Sequence, residues 1–150
     1  MADYEALRLD RQLCFPLYAA SREVIKRYYP LLESIGLTYT QYVAMMVLWE
    51  EHEISVRDLG KRLYLDSGTL TPLLKKMEQA GYITRCRSHQ DERVVEICLT
   101  DKGRELREKV KDIPSALGSC VNLSREEAQT MYRMLYCLLG TGEAMQVREA

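Results

Sequence analysis

What this chain lacks removes most chemistry before any motif is read. It has only two histidines, His52 and His89, and neither has a second ligand at a recognisable spacing, so no metal site is expected. The five cysteines are irregularly spaced and include no CxxC pair, which argues against both a zinc ribbon and a secreted disulfide framework. Neither a Gly-rich phosphate loop nor a Ser/His/Asp arrangement is present. No apolar run nears the roughly 18 to 20 residues that span a bilayer, and the N-terminus lacks a signal pattern. The expectation is therefore a chain in a reducing cytoplasm, without a cofactor and without a membrane partner. Internal repeats and low-complexity segments are also missing. A length of 150 residues, 47% of them hydrophobic, suits one domain with a core, or such a domain plus a dimerisation extension.

Excess charge of one sign is absent too, the formal net charge being −1. Its distribution is less even. Residues 1–56 carry 5 basic and 8 acidic side chains, 57–93 carry 8 and 5, and 94–150 carry 8 and 9. A neutral chain with a basic middle remains compatible with binding a polyanion locally.

That basic middle holds the most informative stretch, Leu65 to Gly81. Asp66 is placed to cap a helix in which Leu70, Leu73, Leu74 and Met77 share one apolar face. The opposite face collects Gly68, Thr71, Pro72, Lys75, Lys76 and Gln79, small at its start and basic further on. Taken alone, this is a half-buried surface helix with a solvated polar face. Its neighbours change the reading. Ser55-Val56-Arg57-Asp58 has a capping-box pattern for a short helix using Val56, Leu59 and Leu63, and only Tyr64 and Leu65 separate it from Asp66. Two helices joined so tightly are a candidate helix-turn-helix, whose second helix enters a DNA major groove. The β-rich runs Tyr82–Arg87 and Val94–Leu99 then flank a polar tip at 88–92, predicting a hairpin. The fold class expected is mainly α with a small β-hairpin wing, a winged helix-turn-helix at about residues 37–100.

The flanks read as helical, at 1–36 and 101–150. Leu9 to Leu32 is predicted to be a helix capped by Asp10, with Leu13, Leu17, Ala20, Val24 and Tyr28 turned inward. Pro16 must either mark its start or kink it, and the element should end near Pro30 and Gly36. Thr38-Tyr39-Thr40-Gln41 is a capping box for a central core helix through Tyr42, Met45, Met46 and Trp49. Thr100-Asp101 should cap a charged helix to about Val110, broken or bent at Ile113-Pro114. Ser124-Arg125-Glu126-Glu127 should cap a last helix with Met131, Leu135, Leu138 and Leu139 on one face. A small winged domain cannot cover both terminal helices, so a two-fold homodimer with intertwined ends is expected.

The run Leu63-Tyr64-Leu65-Asp66-Ser67-Gly68-Thr69-Leu70-Thr71-Pro72-Leu73-Leu74-Lys75-Lys76-Met77-Glu78, with Asp91-Glu92-Arg93 after it, resembles the multiple-antibiotic-resistance regulator (MarR) family. Within that family it resembles the organic-hydroperoxide-sensing, OhrR-like branch. The similarity runs from Gln12 to about Ile113 and more loosely beyond. It implies a single chain over 1–150 that represses transcription, with double-stranded operator DNA as partner. Asp66, Ser67, Gly68, Thr69, Thr71 and Pro72 would face base edges and nearby phosphates, and Lys75 and Lys76 would approach the backbone. Arg85 and Arg87 would meet phosphates, while Arg93 resembles the family's minor-groove arginine. Asp91 could alternatively hold Arg93 in an ion pair.

The resemblance also singles out Cys14, although a free cysteine is ordinarily a small buried hydrophobe. Leu13-Cys14-Phe15-Pro16-Leu17-Tyr18 is similar to the family's peroxide-sensing segment, apart from Pro16, and Tyr28 and Tyr39 correspond to its further tyrosines. Phenols donating to a sulfur favour its ionised form, and the apolar surroundings would suit an organic hydroperoxide as oxidant. Tyr18, Tyr28 and Tyr39 are therefore the thiol-supporting candidates. Cys120 resembles the resolving cysteine of two-cysteine members, with an interface cysteine of no redox role as the alternative. A mixed disulfide between Cys14 and a small thiol is the other possible end state. Cys86 and Cys98 fall on opposing wing strands, where an incidental pair is expected rather than a switch, and Cys137 reads as packing. The open alternatives are a repressor of the same fold controlled by an apolar or phenolic ligand, and a thiol peroxidase or interaction module without DNA.

Overall fold

Thr38 opens the helix on which the fold is built. Its hydroxyl accepts the Gln41 main-chain N–H and the Gln41 side chain accepts the Thr38 N–H, so the capping box is complete. The helix that follows, α2 (Tyr39–Glu51), buries Gln41, Tyr42, Ala44, Met45, Val47, Leu48 and Trp49. A helix apolar on nearly every side belongs inside a domain. Met46, expected in that core, is instead 41% exposed.

The computed structural model describes residues 4–88, 91, 93–118 and 122–140. In chain order, α1 (Cys14–Glu33) precedes α2, and β1 (Glu53–Ser55), α3 (Val56–Leu63) and α4 (Ser67–Gln79) follow it. Then come β2 (Ile83–Arg87), β3 (Val95–Leu99), α5 (Asp101–Val110), α6 (Ile113–Gly118) and α7 (Arg125–Leu138). The chain divides into two units, Met1–Ile113 and Pro114–Ala150, with α6 across the boundary.

In the first unit, α1, α3, α4 and α5 pack on α2, and β1 and β3 reach it from the wing side. Leu32, Leu59, Leu70, Leu74, Met77, Ile83 and Ile97 are buried around Met45 and Leu48. The sheet is antiparallel with strand order β1-β3-β2, Glu53 lying opposite Cys98 and Ile83 opposite Leu99. β1 was not expected, because three residues are too few to display a strand period. Gly103 closes this unit against α2. A Cβ there would lie 2.1 Å from the Tyr82 carbonyl oxygen, and Trp49 Nε1 donates to the Gly103 carbonyl at 2.9 Å.

The first helix departs from its sequence reading. Residues 5–7 and 9–11 form two single 3-10 turns, and α1 starts only at Cys14 without a side-chain cap. Asp10 caps nothing, because its carboxylate is bound by the Arg8 guanidinium at 2.9 and 3.1 Å. Pro16 falls in the first turn, where a helical N–H has no acceptor, so it neither kinks nor breaks the helix. Its end is as expected, since α1 stops at Glu33, between Pro30 and Gly36. The residues expected to face inward are mostly open in the single chain. Leu13 is 75% exposed, Leu17 43% and Val24 40%, Ala20 is also exposed, and only Tyr28 is half-buried.

In the second unit α7 begins with a complete capping box between Ser124 and Glu127. The Ser124 N–H holds the Glu127 carboxyl below its ordinary range. Met131, Leu138 and Leu139 of the expected apolar face are exposed and Leu135 is half-buried.

Candidate nucleic-acid interface and thiol site

The turn between α3 and α4 is short because two residues accept unusual conditions. Tyr64 adopts a left-handed conformation, φ 54°, and Gly60 gives the following chain room to fold back. A Cβ on Gly60 would meet the Leu65 oxygen at 3.0 Å and Leu70 Cδ2 at 3.3 Å, while the Leu65 N–H donates to the Gly60 carbonyl at 2.9 Å. Ser55 caps α3 through the Asp58 N–H. These contacts fix how α4 leaves the domain.

The α4 helix is amphipathic as expected. Leu70, Leu74 and Met77 are buried and Leu73 is half-buried, whereas Ser67, Gly68, Thr69, Thr71, Pro72, Lys75 and Lys76 are all exposed. Asp66 is exposed too, but its carboxylate caps the helix by accepting the Thr69 N–H at 2.8 Å. That bond, with the helix start behind it, keeps the carboxyl below its ordinary range. Pro72 has no N–H to give the Gly68 carbonyl, and with Gly68 it keeps this first stretch of the exposed face shallow.

The wing carries three arginines in different situations. Arg85 Nε lies 3.4 Å from Glu78 of α4, so this side chain ties the wing to the helix. Arg87 is exposed at the end of β2. Arg93 is exposed at the tip, where its main-chain N–H donates to Asp91 Oδ1 at 2.9 Å. Asp91 therefore shapes the turn through the backbone, and no Asp91–Arg93 side-chain ion pair occurs among the described residues. His89 lies outside the described residues.

Cys14 is a free, exposed thiol at the first position of α1. Tyr18 sits one turn on and accepts a hydrogen bond from Arg22 Nη1 at 3.0 Å. Tyr28 and Tyr39 meet across α1 and α2 with ring centroids 4.8 Å apart, and Tyr42 joins them at 5.9 Å from Tyr28. Burial raises the phenol pKa of all three, and their mutual proximity raises it further for Tyr39 and Tyr42. They stay protonated, and hence hydrogen-bond donors, well past neutral pH. Within one chain, however, Tyr28 is 14 residues from Cys14 along α1, about 21 Å at helical rise. Cys120 lies outside the described residues, and Cys137 is free and exposed rather than packed. Cys86 and Cys98, expected to be an incidental pair, are joined as a disulfide. Tyr42 was missed as a cluster member because its spacing also fits the core of α2.

A helix-turn-helix with an arginine-bearing hairpin behind its second helix defines a winged-helix DNA-binding fold. The profile of the transcriptional regulator SarA/Rot family matches residues 26–110. An organic hydroperoxide resistance transcriptional regulator of Bacillus subtilis is 49% identical over 138 residues, covering 92% of this chain and 94% of that protein. The chain belongs to this family of MarR-like winged-helix transcriptional regulators. Among solved structures, reduced AbfR bound to DNA matches with a TM-score of 0.74 at 38% identity, over 91% of this chain and 94% of that one. The disulfide-formed state of AbfR matches with a TM-score of 0.63 at 37% identity, over 90% and 95%.

Proposed function

We propose that this protein is a redox-sensing repressor that binds operator DNA as a reduced homodimer and releases it when an organic hydroperoxide oxidises Cys14. The observation that carries the reading is the separation within one chain of an exposed thiol from its phenol donors. Cys14 opens α1, and the Tyr28–Tyr39 pair lies near the other end of the same helix. Two α1 helices running antiparallel about a two-fold axis bring each Cys14 to the partner's tyrosine pair. That pairing also covers Leu13, Leu17 and Val24, which form too large an apolar face to leave open. The sensing site is then built at the dimer interface, where oxidation can act on both reading heads together.

The chemistry follows from the groups present. An anionic Cys14 sulfur, accepting hydrogen bonds from phenols, attacks the distal peroxide oxygen and leaves a sulfenic acid and an alcohol. Cys120 of the other subunit, or a small thiol, then displaces hydroxide from that sulfur as water. The named relatives are regulators of transcription, and nothing in the site calls for turnover; a cytoplasmic, non-enzymatic role fits best. For the alternative of control by an apolar ligand, a half-enclosed cleft beside α5 is a poor host. It has about 320 Å³ and is lined by Ser34, Tyr82, Lys102, Glu105 and Lys109 among others.

The test compares DNA binding by wild type and Cys14→Ser dimers before and after one equivalent of an alkyl hydroperoxide. A non-reducing gel and an intact mass are taken at each point. Wild type should release DNA and the variant should retain it. Release by both would move the sensing chemistry away from Cys14.

A further inference from the structure

We propose that Cys86 and Cys98 form a second redox site, independent of Cys14, whose closure staples the wing and tightens its grip on DNA. The juxtaposition comes from the β2–β3 register. Cys86 lies opposite Glu96 and Cys98 opposite Thr84, so the two cysteines are diagonal neighbours on the same face of the sheet. Diagonal positions in a flat antiparallel pair are about 7 to 8 Å apart, and strand twist shortens one of the two diagonals. Here the Cα–Cα distance is 6.5 Å, inside the range that a disulfide bridges without moving backbone. Both residues are half-buried, on the face away from Ile83, Ile97 and Leu99, which are buried in the core. Opening or closing the bond therefore disturbs no core packing.

The surroundings set the order of events. Cys86 has Glu96 across from it and Cys98 has Glu53 across from it on β1, so the register neighbours of this pair are acidic residues. The register gives this pair no phenol of the kind that the proposed function gives Cys14. The pair is accordingly slower than Cys14 to meet an oxidant, and what favours it is proximity of the second thiol. With an organic hydroperoxide as oxidant, one cysteine sulfur attacks an oxygen, the O–O bond breaks and an alcohol leaves, giving a sulfenic acid. The other sulfur displaces its hydroxyl, which departs as water. In total, two thiols and one hydroperoxide become one disulfide, one alcohol and one water.

The output is mechanical. β2 is an edge strand with β3 as its ladder partner, anchored to α4 at Arg85 and Glu78, and its last ladder pair is Arg87 with Val95. Beyond that pair the turn is closed by Ser88 N–H to the Val94 carbonyl and Val94 N–H to the Asp91 carbonyl, each at 2.9 Å. A bond at Cys86, one residue before Arg87, prevents the hairpin from fraying back from its tip. Arg87 and Arg93 are then presented from an ordered hairpin, and binding no longer has to order it. Oxidation at Cys14 and oxidation at the wing thus act in opposite directions, so mild oxidation releases DNA and wing closure opposes release.

The affinity readout rests on the DNA-binding reading above, whereas the formation of the bond does not. The experiment uses the full-length Cys14→Ser dimer, fully reduced and then treated with excess tert-butyl hydroperoxide. Peptide mapping without reductant should show each chain losing two hydrogens, with Cys86 linked to Cys98 and no covalent dimer. Amide exchange across β2 and β3 should slow in the closed form. A duplex enriched from a random pool by the reduced wild-type dimer should bind the closed form roughly three- to tenfold more tightly. Dithiothreitol should reverse every change on the same chain, which removes any dependence on whether Cys86→Ser folds. A pair that stays reduced, a link that maps to other cysteines, or equal exchange and affinity in the two forms would overturn the proposal. If no duplex is enriched at all, the DNA reading fails, while the mass and exchange results still decide the redox site.

Discussion

At the residue scale, the sharpest constraint is Gly103. A side chain there would run into the Tyr82 carbonyl, a backbone atom that cannot rotate away. Gly103→Ala should therefore destabilise the fold by about 3 kcal/mol or more, measured by urea unfolding with the m-value unchanged. Trp49→Phe removes the indole donor to the Gly103 carbonyl, which keeps its place in the α5 ladder, and should cost about 0.5 to 1.5 kcal/mol. The tyrosine cluster makes a different prediction. Tyr28, Tyr39 and Tyr42 have phenols raised above their ordinary pKa by burial. Below about pH 10 both folded and unfolded chains keep these protons, so stability is unaffected there. Above it the unfolded chain ionises first and binds fewer protons, so stability falls as pH rises toward the folded values. Tyr28→Phe should flatten that fall, seen in urea midpoints between pH 9 and pH 11. The same substitution should slow hydroperoxide consumption by Cys14, because the proposed sensing site loses one of its phenol donors.

At the element scale, α4 and the wing separate cleanly in what each should contribute. Arg93→Ala removes an exposed guanidinium from the tip and should weaken DNA binding, with the salt slope reduced by about one unit if it meets one phosphate. Asp91→Ala should weaken binding through loss of the main-chain bond that shapes the turn, and should leave the salt slope as it was. Equal slopes for both variants would move Arg93 off the phosphates. Elements with a strong local signal were legible in sequence: the Thr38 and Ser124 capping boxes, the α4 stripe and the hairpin all stand where their residues put them. Where the signal was only residue type, it misled. Asp10 looks like a cap, but Arg8 beside it takes the carboxylate, and nothing in the chain order reveals that choice. β1 exists because β3 offers it an edge, a tertiary cause with no local period. The wing cysteines were legible as strand neighbours, yet their register was not, since a slip of one residue would turn them to opposite faces. The apolar faces of α1 and α7 could be read as apolar, while what covers them lies outside a single chain's sequence.

At the scale of the whole molecule, the question is how chemistry at α1 reaches α4. In a two-fold dimer the two recognition helices must sit about one DNA turn apart, roughly 34 Å, so a shift of a few ångströms in each takes both out of register. A sulfenic acid on Cys14 changes one atom and can be accommodated locally. A disulfide fixes two Cα atoms at roughly 4.4 to 6.8 Å, and in the proposed mechanism closing it drags or unwinds the start of α1. That start has little to resist with, since α1 begins without a side-chain cap and the two 3-10 turns before it are exposed. Cys120→Ser should therefore still form the Cys14 sulfenic acid, trapped by a dimedone-type reagent, while releasing DNA less fully and over-oxidising more readily. Wild type under the same dose should show a covalent dimer on a non-reducing gel and full release. Complete release by Cys120→Ser, with no small-thiol adduct in its mass, would mean that the sulfenic acid alone moves the heads and that the intersubunit bond only protects the sulfur.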